Sequence, residues 1–254
     1  MSALSQNTKS KVFATVPGNH DFWVNSMPSL WVPKDQQGQG FMQFYGMDVI
    51  ASAASDVSAP FDLSVDPDGP NKGRNNLPTA SNFMFYNKLG NVGFIGFSGA
   101  HSLDSQVAYF TEACTWAAKE NPDVLLLLGH WNNDGYGCET GMSAPQLYDE
   151  LAALPACAPV AKRMKYFMGH KHCNIVTEPD VGFMVGALGM SDSSDCGGVF
   201  GFPIVDTTGG AFKVYYFPIQ DSKTDNYDAI LSCVRSSGVS GCYHLATQWS
   251  FQEF

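Results

Sequence analysis

The sequence predicts an α/β fold in which two β-sheets pack face to face with helices on the outside. Strand-like apolar runs alternate with helical patterns along the chain. Residues 123–131, DVLLLLGHW, contain a run of five apolar residues, which is typical of a strand buried on both faces. Residues 183–219 are rich in β-forming residues. This order of strands and helices is the basis for the predicted two-sheet architecture.

Composition limits the classes of protein to which the chain can belong. With 254 residues, of which 44% are hydrophobic, we expect one domain over residues 1–254 with a substantial core. The formal net charge of −10 makes broad nucleic-acid binding through a basic face unexpected. The apolar runs are too short for a transmembrane segment, and the first residues carry no signal-peptide pattern.

Cysteine usage bears on the compartment. The chain has seven cysteines and no CxxC pair, which disfavours a zinc ribbon and favours disulfides in an oxidising environment. We therefore expect a secreted or luminal protein. The odd count leaves at least one thiol free or paired outside the chain.

Three segments precede the first predicted helix. Residues 11–16, KVFATV, predict a short buried strand that ends at Pro17-Gly18. Residues 24–82 are rich in Gly, Pro, Asp, Asn and Ser, so we expect a loop-rich insertion that is longer than most loops of a compact domain. Residues 83–99 predict a hairpin that turns around 88–91.

Two helices are predicted from apolar spacing and end signals. The first covers residues 104–120, with Asp104 as its N-cap and Asn121-Pro122 as its stop. Serine is a favoured N-cap residue, so Ser143 predicts the start of a second helix over residues 144–154. Pro145 is tolerated in the first turn of that helix.

Further strands are predicted around and after these helices. Residues 165–172, KYFMGHKH, are typical of a strand followed by a turn. Residues 183–189 predict another strand, and residues 201–219 predict a hairpin that turns at 207–210.

Three short motifs each follow a strand-like run: GNHD at 18–21, GHW at 129–131 and GHKH at 169–172. Loops at the carboxyl ends of strands are where α/β folds gather functional groups, and imidazole is a common metal ligand. Each motif alone is weak, since a single GH is often an ordinary loop histidine and GNHD suits an Asx-type turn. Their combination would bring together five polar residues: Asn19, His20, His130, His170 and His172.

In their order along the chain, the three motifs resemble the calcineurin-like metallophosphoesterase superfamily over residues 11–219. The resemblance implies a two-sheet sandwich flanked by helices in four layers. It also implies a centre of two metal ions (iron, zinc or manganese) that hydrolyses phosphate mono- or diesters. Residues 24–82 and 132–142 would shape the choice of substrate.

The resemblance also assigns residue roles. Asn19, His130 and His170 would ligate one metal, and His172 would ligate the other. His20 would stabilise the transition state or protonate the leaving group. The carboxylate of Asp21 would orient its neighbours.

The sequence departs from the family upstream of GNHD, where the family has a D-x-H strand end and a G-D-x-x strand end. The 17 residues before GNHD contain no Asp and no His, and no D-x-H occurs elsewhere in the chain. Two carboxylates and one imidazole of the family's site, and the N-terminal strands that carry them, therefore have no counterpart. Without those strands we expect an open sheet edge from Lys11 to Val16, to which a partner chain could pair.

Several interpretations stay open at this point. The chain is part of a longer phosphoesterase, or a partner chain supplies the missing strands, or the protein is a non-catalytic structural or interaction protein derived from the family. A carbohydrate- or ligand-binding β-sandwich would explain the aromatic residues but not the ordered histidines. Among the other polar residues, His101 is interpreted as structural, and His244 is interpreted as packing the C-terminal tail. Asp192 and Asp195 are interpreted as part of a turn.

Overall fold

The computed structural model describes residues 14–18, 21, 41–42, 49, 79–131, 142–187, 196, 199–220 and 225–253. The chain divides into two compact units, Met1–Met164 and Lys165–Phe254. Strands and helices alternate in the order expected of a mixed α/β protein, so the predicted class is confirmed at that level. The expectation of one domain over residues 1–254 stays a prediction, as does the four-layer arrangement.

The first unit is built around three neighbouring strands of one sheet. Its described elements are a 3-10 helix (Ala80–Phe83), β1 (Phe85–Leu89), β2 (Val92–Gly96), α1 (Val107–Glu120), β3 (Val124–Leu128), α2 (Ala144–Ala153) and a second 3-10 helix (Ala161–Arg163). The strand order is β1-β2-β3, with β1 antiparallel and β3 parallel to β2. The hairpin predicted at 88–91 is confirmed: Leu89 pairs with Val92, and Gly90 takes a φ of 61° in the turn.

Helix α1 ends where predicted but begins later. Asn121 is its C-cap in the left-handed conformation, and its N–H donates to the carbonyl oxygen of Ala117. The predicted N-cap at Asp104 is wrong, because Gln106 occupies that position and the helix begins at Val107. The Gln106 side chain does not cap the helix but bonds to the turn that follows β2, which a local pattern cannot reveal.

Helix α2 confirms its prediction closely. Ser143 is the N-cap, and the Ser143 hydroxyl and the Gln146 side chain bond to each other's backbone N–H in a capping box. Pro145 lies in the first turn, where no intrahelical donor is needed. A disulfide joins Cys114 of α1 to Cys157, which lies just after α2.

Strand β3 is the centre of the first unit, as the apolar run predicted. Val124 and Leu125 are almost completely buried, as are Leu126 and Leu127. Strand β2 lies parallel beside it, with Gly96 paired to Leu128. The two strands therefore end at the same edge of the sheet, and residues 97–101 and 129–131 leave from that edge.

The predicted strand at residues 11–16 is wrong over its described part. Residues 14–18 form no regular structure, and Ala14 has a φ of 51°, which cannot continue a strand. Residues 11–13 lie outside the described residues, and the pairing of a partner chain at this edge stays a prediction. Most of the insertion at 24–82 also lies outside them.

The second unit contains strands of two sheets, and one of these sheets is three-stranded and antiparallel. Its described elements are β4 (Met164–Met168, starting at the unit boundary), β5 (Asn174–Glu178), β6 (Gly182–Val185), β7 (Phe200–Asp206), β8 (Ala211–Gln220), α3 (Tyr227–Ser237), a 3-10 helix (Ser240–Leu245) and β9 (Thr247–Glu253). Within this unit β6 lies between β4 and β5, and β8 lies between β7 and β9. The hairpin turn predicted at 207–210 is confirmed between β7 and β8. The strand predicted over 183–189 is shorter and ends at Val185.

Aromatic rings and one buried lysine join the sheets of the second unit. The ring centroid of Phe183 lies 6.1 Å from that of Phe212 and 6.4 Å from that of Trp249. Lys165, only 3% exposed, donates from Nζ to Gln252 Oε1 over 2.6 Å. Burial lowers the pKa of the Lys165 ammonium below its ordinary value.

Three disulfides are present: Cys114–Cys157, Cys173–Cys196 and Cys233–Cys242. Disulfides of this number are typical of oxidising compartments. Cys138, the seventh cysteine, lies outside the described residues. Within the described part of the chain, no helix has the length and apolar character needed to cross a membrane.

Candidate metal site

Gly18, the first residue of GNHD, lies against the imidazole of His130. A Cβ built on Gly18 would lie 2.9 Å from His130 Nδ1 and 3.0 Å from Cε1, which is closer than side chains pack. A larger residue would fit here only with a shift of the ring. The predicted convergence of Asn19 and His20 with His130 stays a prediction, because residues 19 and 20 lie outside the described residues.

Asp21 is joined to Gly18 by two hydrogen bonds. The Gly18 N–H donates to Asp21 Oδ2 over 2.7 Å, and the Asp21 N–H donates to the Gly18 carbonyl oxygen over 3.1 Å. The carboxylate thus holds Gly18, which lies beside His130, and the orienting role expected of Asp21 stays a prediction. Asn19 and His20, the expected ligand and the expected acid, lie outside the described residues.

His130 is placed by the strand before it and the ring after it. It follows β3 and Gly129, where a Cβ would collide with the ring of Phe97. The His130 ring stands at 90° to the indole of Trp131, with centroids 5.0 Å apart. Trp131 is 1% exposed, so the half-buried imidazole of His130 packs against a residue of the core.

The GHKH segment forms a tight turn in the second unit. His170 has a φ of 63°, a conformation that non-glycine residues seldom adopt. The Lys171 N–H donates to the Gly169 carbonyl oxygen over 2.8 Å, and the Cys173 N–H donates to the Lys171 carbonyl oxygen over 2.7 Å. Such backbone strain costs on the order of 1–3 kcal/mol and is concentrated at functional sites.

The rest of the unit holds this turn in place. Gly186 passes so close that a Cβ there would collide with the Lys171 carbonyl oxygen, and its N–H donates to the Cys173 carbonyl oxygen over 2.8 Å. Cys173 is also tied to Cys196 by a disulfide. His170 and His172 are both half-buried at this turn.

The described residues include three of the imidazoles that the resemblance assigns to a metal centre. His130 lies in the first unit next to Gly18, and His170 and His172 lie in the second unit at the GHKH turn. In the described ranges no three or more His, Cys, Asp or Glu side chains form a metal-binding group, and the amide of Asn19 lies outside those ranges. The carboxylate that bridges the two metals in the family has no counterpart among these described residues.

The remaining candidates separate clearly. His101 is fully buried, and its Nδ1 lies 2.8 Å from Ser98 Oγ, which agrees with the structural interpretation. The expectation that His244 packs the tail is wrong: its side chain is exposed, and its Nδ1 lies 3.1 Å from the Gly241 carbonyl oxygen within a 3-10 turn. Asp192 and Asp195 lie outside the described residues.

Sequence reasoning missed Gly99 and Gln106. A Cβ on Gly99 would collide with the Trp131 ring, and Gln106 binds the turn that contains Gly99. A possible signal was the SGAHS turn directly after a buried strand. Comparison of the chain with protein-family models, with curated proteins and with solved structures finds no match.

Proposed function

We propose that this protein is a metal-dependent hydrolase of phosphate mono- or diesters, with the four-layer fold of the calcineurin-like metallophosphoesterases. One observation carries the proposal: Gly18 of GNHD lies so close to the His130 ring, at the end of a buried strand, that a Cβ at position 18 would be 2.9 Å from His130 Nδ1. Two of the three motifs are therefore neighbours in the first unit, as the resemblance requires. The strained backbone of His170 supports the same proposal.

In this proposal Asn19, His130 and His170 hold one metal, and His172 contributes to the second. Imidazole and amide donors suit iron, zinc and manganese alike. When bound, such metals would neutralise the charge of the phosphate and supply a hydroxide at neutral pH.

The chain's own residues have separate tasks in this proposal. His20 protonates the leaving oxygen, which prevents an alkoxide from forming. Asp21 holds the segment by accepting the Gly18 N–H, so the imidazole of His20 belongs to a segment whose neighbours are fixed. The acidic chain repels extended polyanions, so the expected substrates carry one phosphate ester that the metal site can attract.

A second candidate is a non-catalytic structural or interaction protein derived from the family. The observation that favours it is the lack of any D-x-H motif in the 254 residues. Such a protein would keep the fold while its remaining histidines serve only packing.

Elemental analysis and hydrolysis assays of the purified protein distinguish these candidates. We expect bound iron, zinc or manganese and hydrolysis of p-nitrophenyl phosphate or bis(p-nitrophenyl) phosphate. His130→Ala should lose metal and activity together, and His20→Ala should keep the metal and lose rate. His244→Ala is the matched control, because His244 is exposed and part of no motif. Protein that binds no metal and hydrolyses neither ester after incubation with each metal would instead support the non-catalytic candidate.

The three disulfides support a proposal for the compartment as well. We propose that the protein works in a secreted or luminal environment, because glutathione and thioredoxin keep cytosolic thiols reduced. Alkylation of the unreduced natural protein followed by mass measurement tests this. Alkylation of all seven cysteines would contradict it.

A further inference from the structure

A short turn after β2 supports the ring on which His130 rests. Gly99 in this turn lies so close to the Trp131 indole that a Cβ would collide with the ring. The same indole meets the His130 imidazole edge-on with centroids 5.0 Å apart. Trp131 therefore has Gly99 at one contact and the candidate metal ligand at another.

Gln106 fixes this turn through both ends of its amide. The Ser98 N–H donates to Gln106 Oε1 over 3.1 Å. Gln106 Nε2 in turn donates to the carbonyl oxygens of Ser98 and His101 over 2.9 and 3.0 Å. Gln106 is also the N-cap residue of α1, so the start of the helix and the turn are joined through this residue.

The turn after β2 buries three polar side chains, which is costly unless each of them is hydrogen-bonded. Ser98, His101 and Gln106 are all 0% exposed. Ser98 Oγ and His101 Nδ1 satisfy each other over 2.8 Å. An apolar turn would fill the same space at lower cost, but it would leave the backbone groups at residues 98 and 101 without these bonds.

We propose that Gln106 is a positioning residue for His130. Gln106 fixes the turn, Gly99 in the turn fixes the indole of Trp131, and the indole sets the orientation of the imidazole. The inference rests on the proposed function for its purpose, because an oriented imidazole is what a metal ligand requires. The mechanical part of the inference does not depend on metal.

Histidine resonances of the metal-free protein test the mechanical part. With ¹³C-labelled histidine, the His130 ring signal is assigned by its loss in His130→Ala. We expect this signal to move in Gly99→Ala and Gln106→Met, because displacement of the indole changes the ring current at the imidazole. Ser98→Ala, which removes a single hydroxyl, is the mildest variant and should move the signal in the same sense.

Gly93→Ala is the matched control. It makes the same change at a buried glycine near the start of β2, where the new methyl would meet Leu125 and Pro122 and not the turn. We expect the His130 signal of Gly93→Ala to stay in place. An unmoved signal in the folded variants of the turn, or an equal movement in Gly93→Ala, would overturn the inference.

Zinc affinity, measured by competition with a chromophoric chelator, separates the inference from the proposed function. We expect Gly99→Ala to bind zinc about ten times more weakly than wild type, as supporting residues of metal ligands commonly show. If wild type binds no zinc but the His130 signal moves, the positioning stands and the metal function fails. If wild type binds zinc and neither the signal nor the affinity changes in the variants, the metal function stands and the positioning fails.

Discussion

Gly186 lies against the backbone of Lys171, so that a Cβ at position 186 would collide with the Lys171 carbonyl oxygen. Gly186 directly follows β6, and Lys171 lies in the GHKH turn. The Gly186 N–H donates to the carbonyl oxygen of Cys173, which follows that turn. The turn that carries His170 and His172 is therefore shaped by a neighbouring chain segment as well as by its own sequence.

Gly186→Ala should open this turn. The colliding atom belongs to the backbone and cannot rotate away, so we expect a loss of about 1–3 kcal/mol in the free energy of unfolding. Chemical denaturation measures it. Gly209→Ala is the control for the zinc affinity only: alanine is strained at its φ of 70°, which lowers stability, but nothing lies near its Cβ position. If the zinc affinity is measured as well, it should fall in Gly186→Ala and not in the control.

The capping box of α2 gives a second prediction. Ser143→Ala removes the acceptor for the Gln146 N–H, and we expect a loss of about 1 kcal/mol in the free energy of unfolding. Urea denaturation provides the value. Ser143→Thr keeps a hydroxyl at the N-cap and should retain most of the stability; equal losses in both variants would show that the cap contributes nothing.

The buried Lys165 makes the free energy of unfolding depend on pH. Burial lowers the pKa of Lys165 in the folded state, while nearby Asp180 and Glu178 oppose the shift. The unfolded chain therefore binds the proton more tightly, and the destabilising contribution of Lys165 is relieved as pH rises toward the ordinary lysine value of 10.5.

Lys165→Met removes this proton linkage. We expect its stability relative to wild type to be greatest near neutral pH and to decline as the pH is raised to 10. Guanidine denaturation at several pH values measures the difference. Lys213→Met makes the same change of side chain at a half-buried lysine of β8 and is the control for the loss of a lysine as such. A difference between Lys165→Met and wild type that does not vary with pH would contradict the assignment.

The disulfides should differ in their effect on stability. Cys114–Cys157 joins residues 43 apart and Cys233–Cys242 joins residues 9 apart. In the chain-entropy account the longer loop contributes about 4 kcal/mol and the shorter about 3 kcal/mol. Double alanine variants compared by thermal unfolding should therefore show the larger loss for Cys114 and Cys157; the reverse order would indicate that contacts in the folded state dominate.

Local signals predicted the elements whose causes are local. The hairpin between β1 and β2 and the capped start of α2 depend on residues that are neighbours in sequence, and both are confirmed. Strand β5 was missed because it shows no apolar alternation and most of its residues are exposed. The N-terminus of α1 was misplaced because the side chain of Gln106 is used by the preceding turn.

The candidate site divides in the same way. The order of the motifs led us to expect that GNHD and His130 are neighbours, and Gly18, the first residue of GNHD, does lie against the His130 ring, whereas Asn19 and His20 lie outside the described residues. The support that Gly99 gives to Trp131 depends on parallel pairing of β2 with β3, which brings the residues after each strand to one edge. No spacing in the sequence reveals that contact before the strand order is known.

The backbone of His170 separates what the fold prefers from what the chain contains. A glycine would take a φ of 63° with less steric strain than a histidine. The backbone conformation at position 170 therefore favours glycine. The proposed metal site requires an imidazole there, so backbone conformation and the proposed chemistry favour different amino acids at this one position.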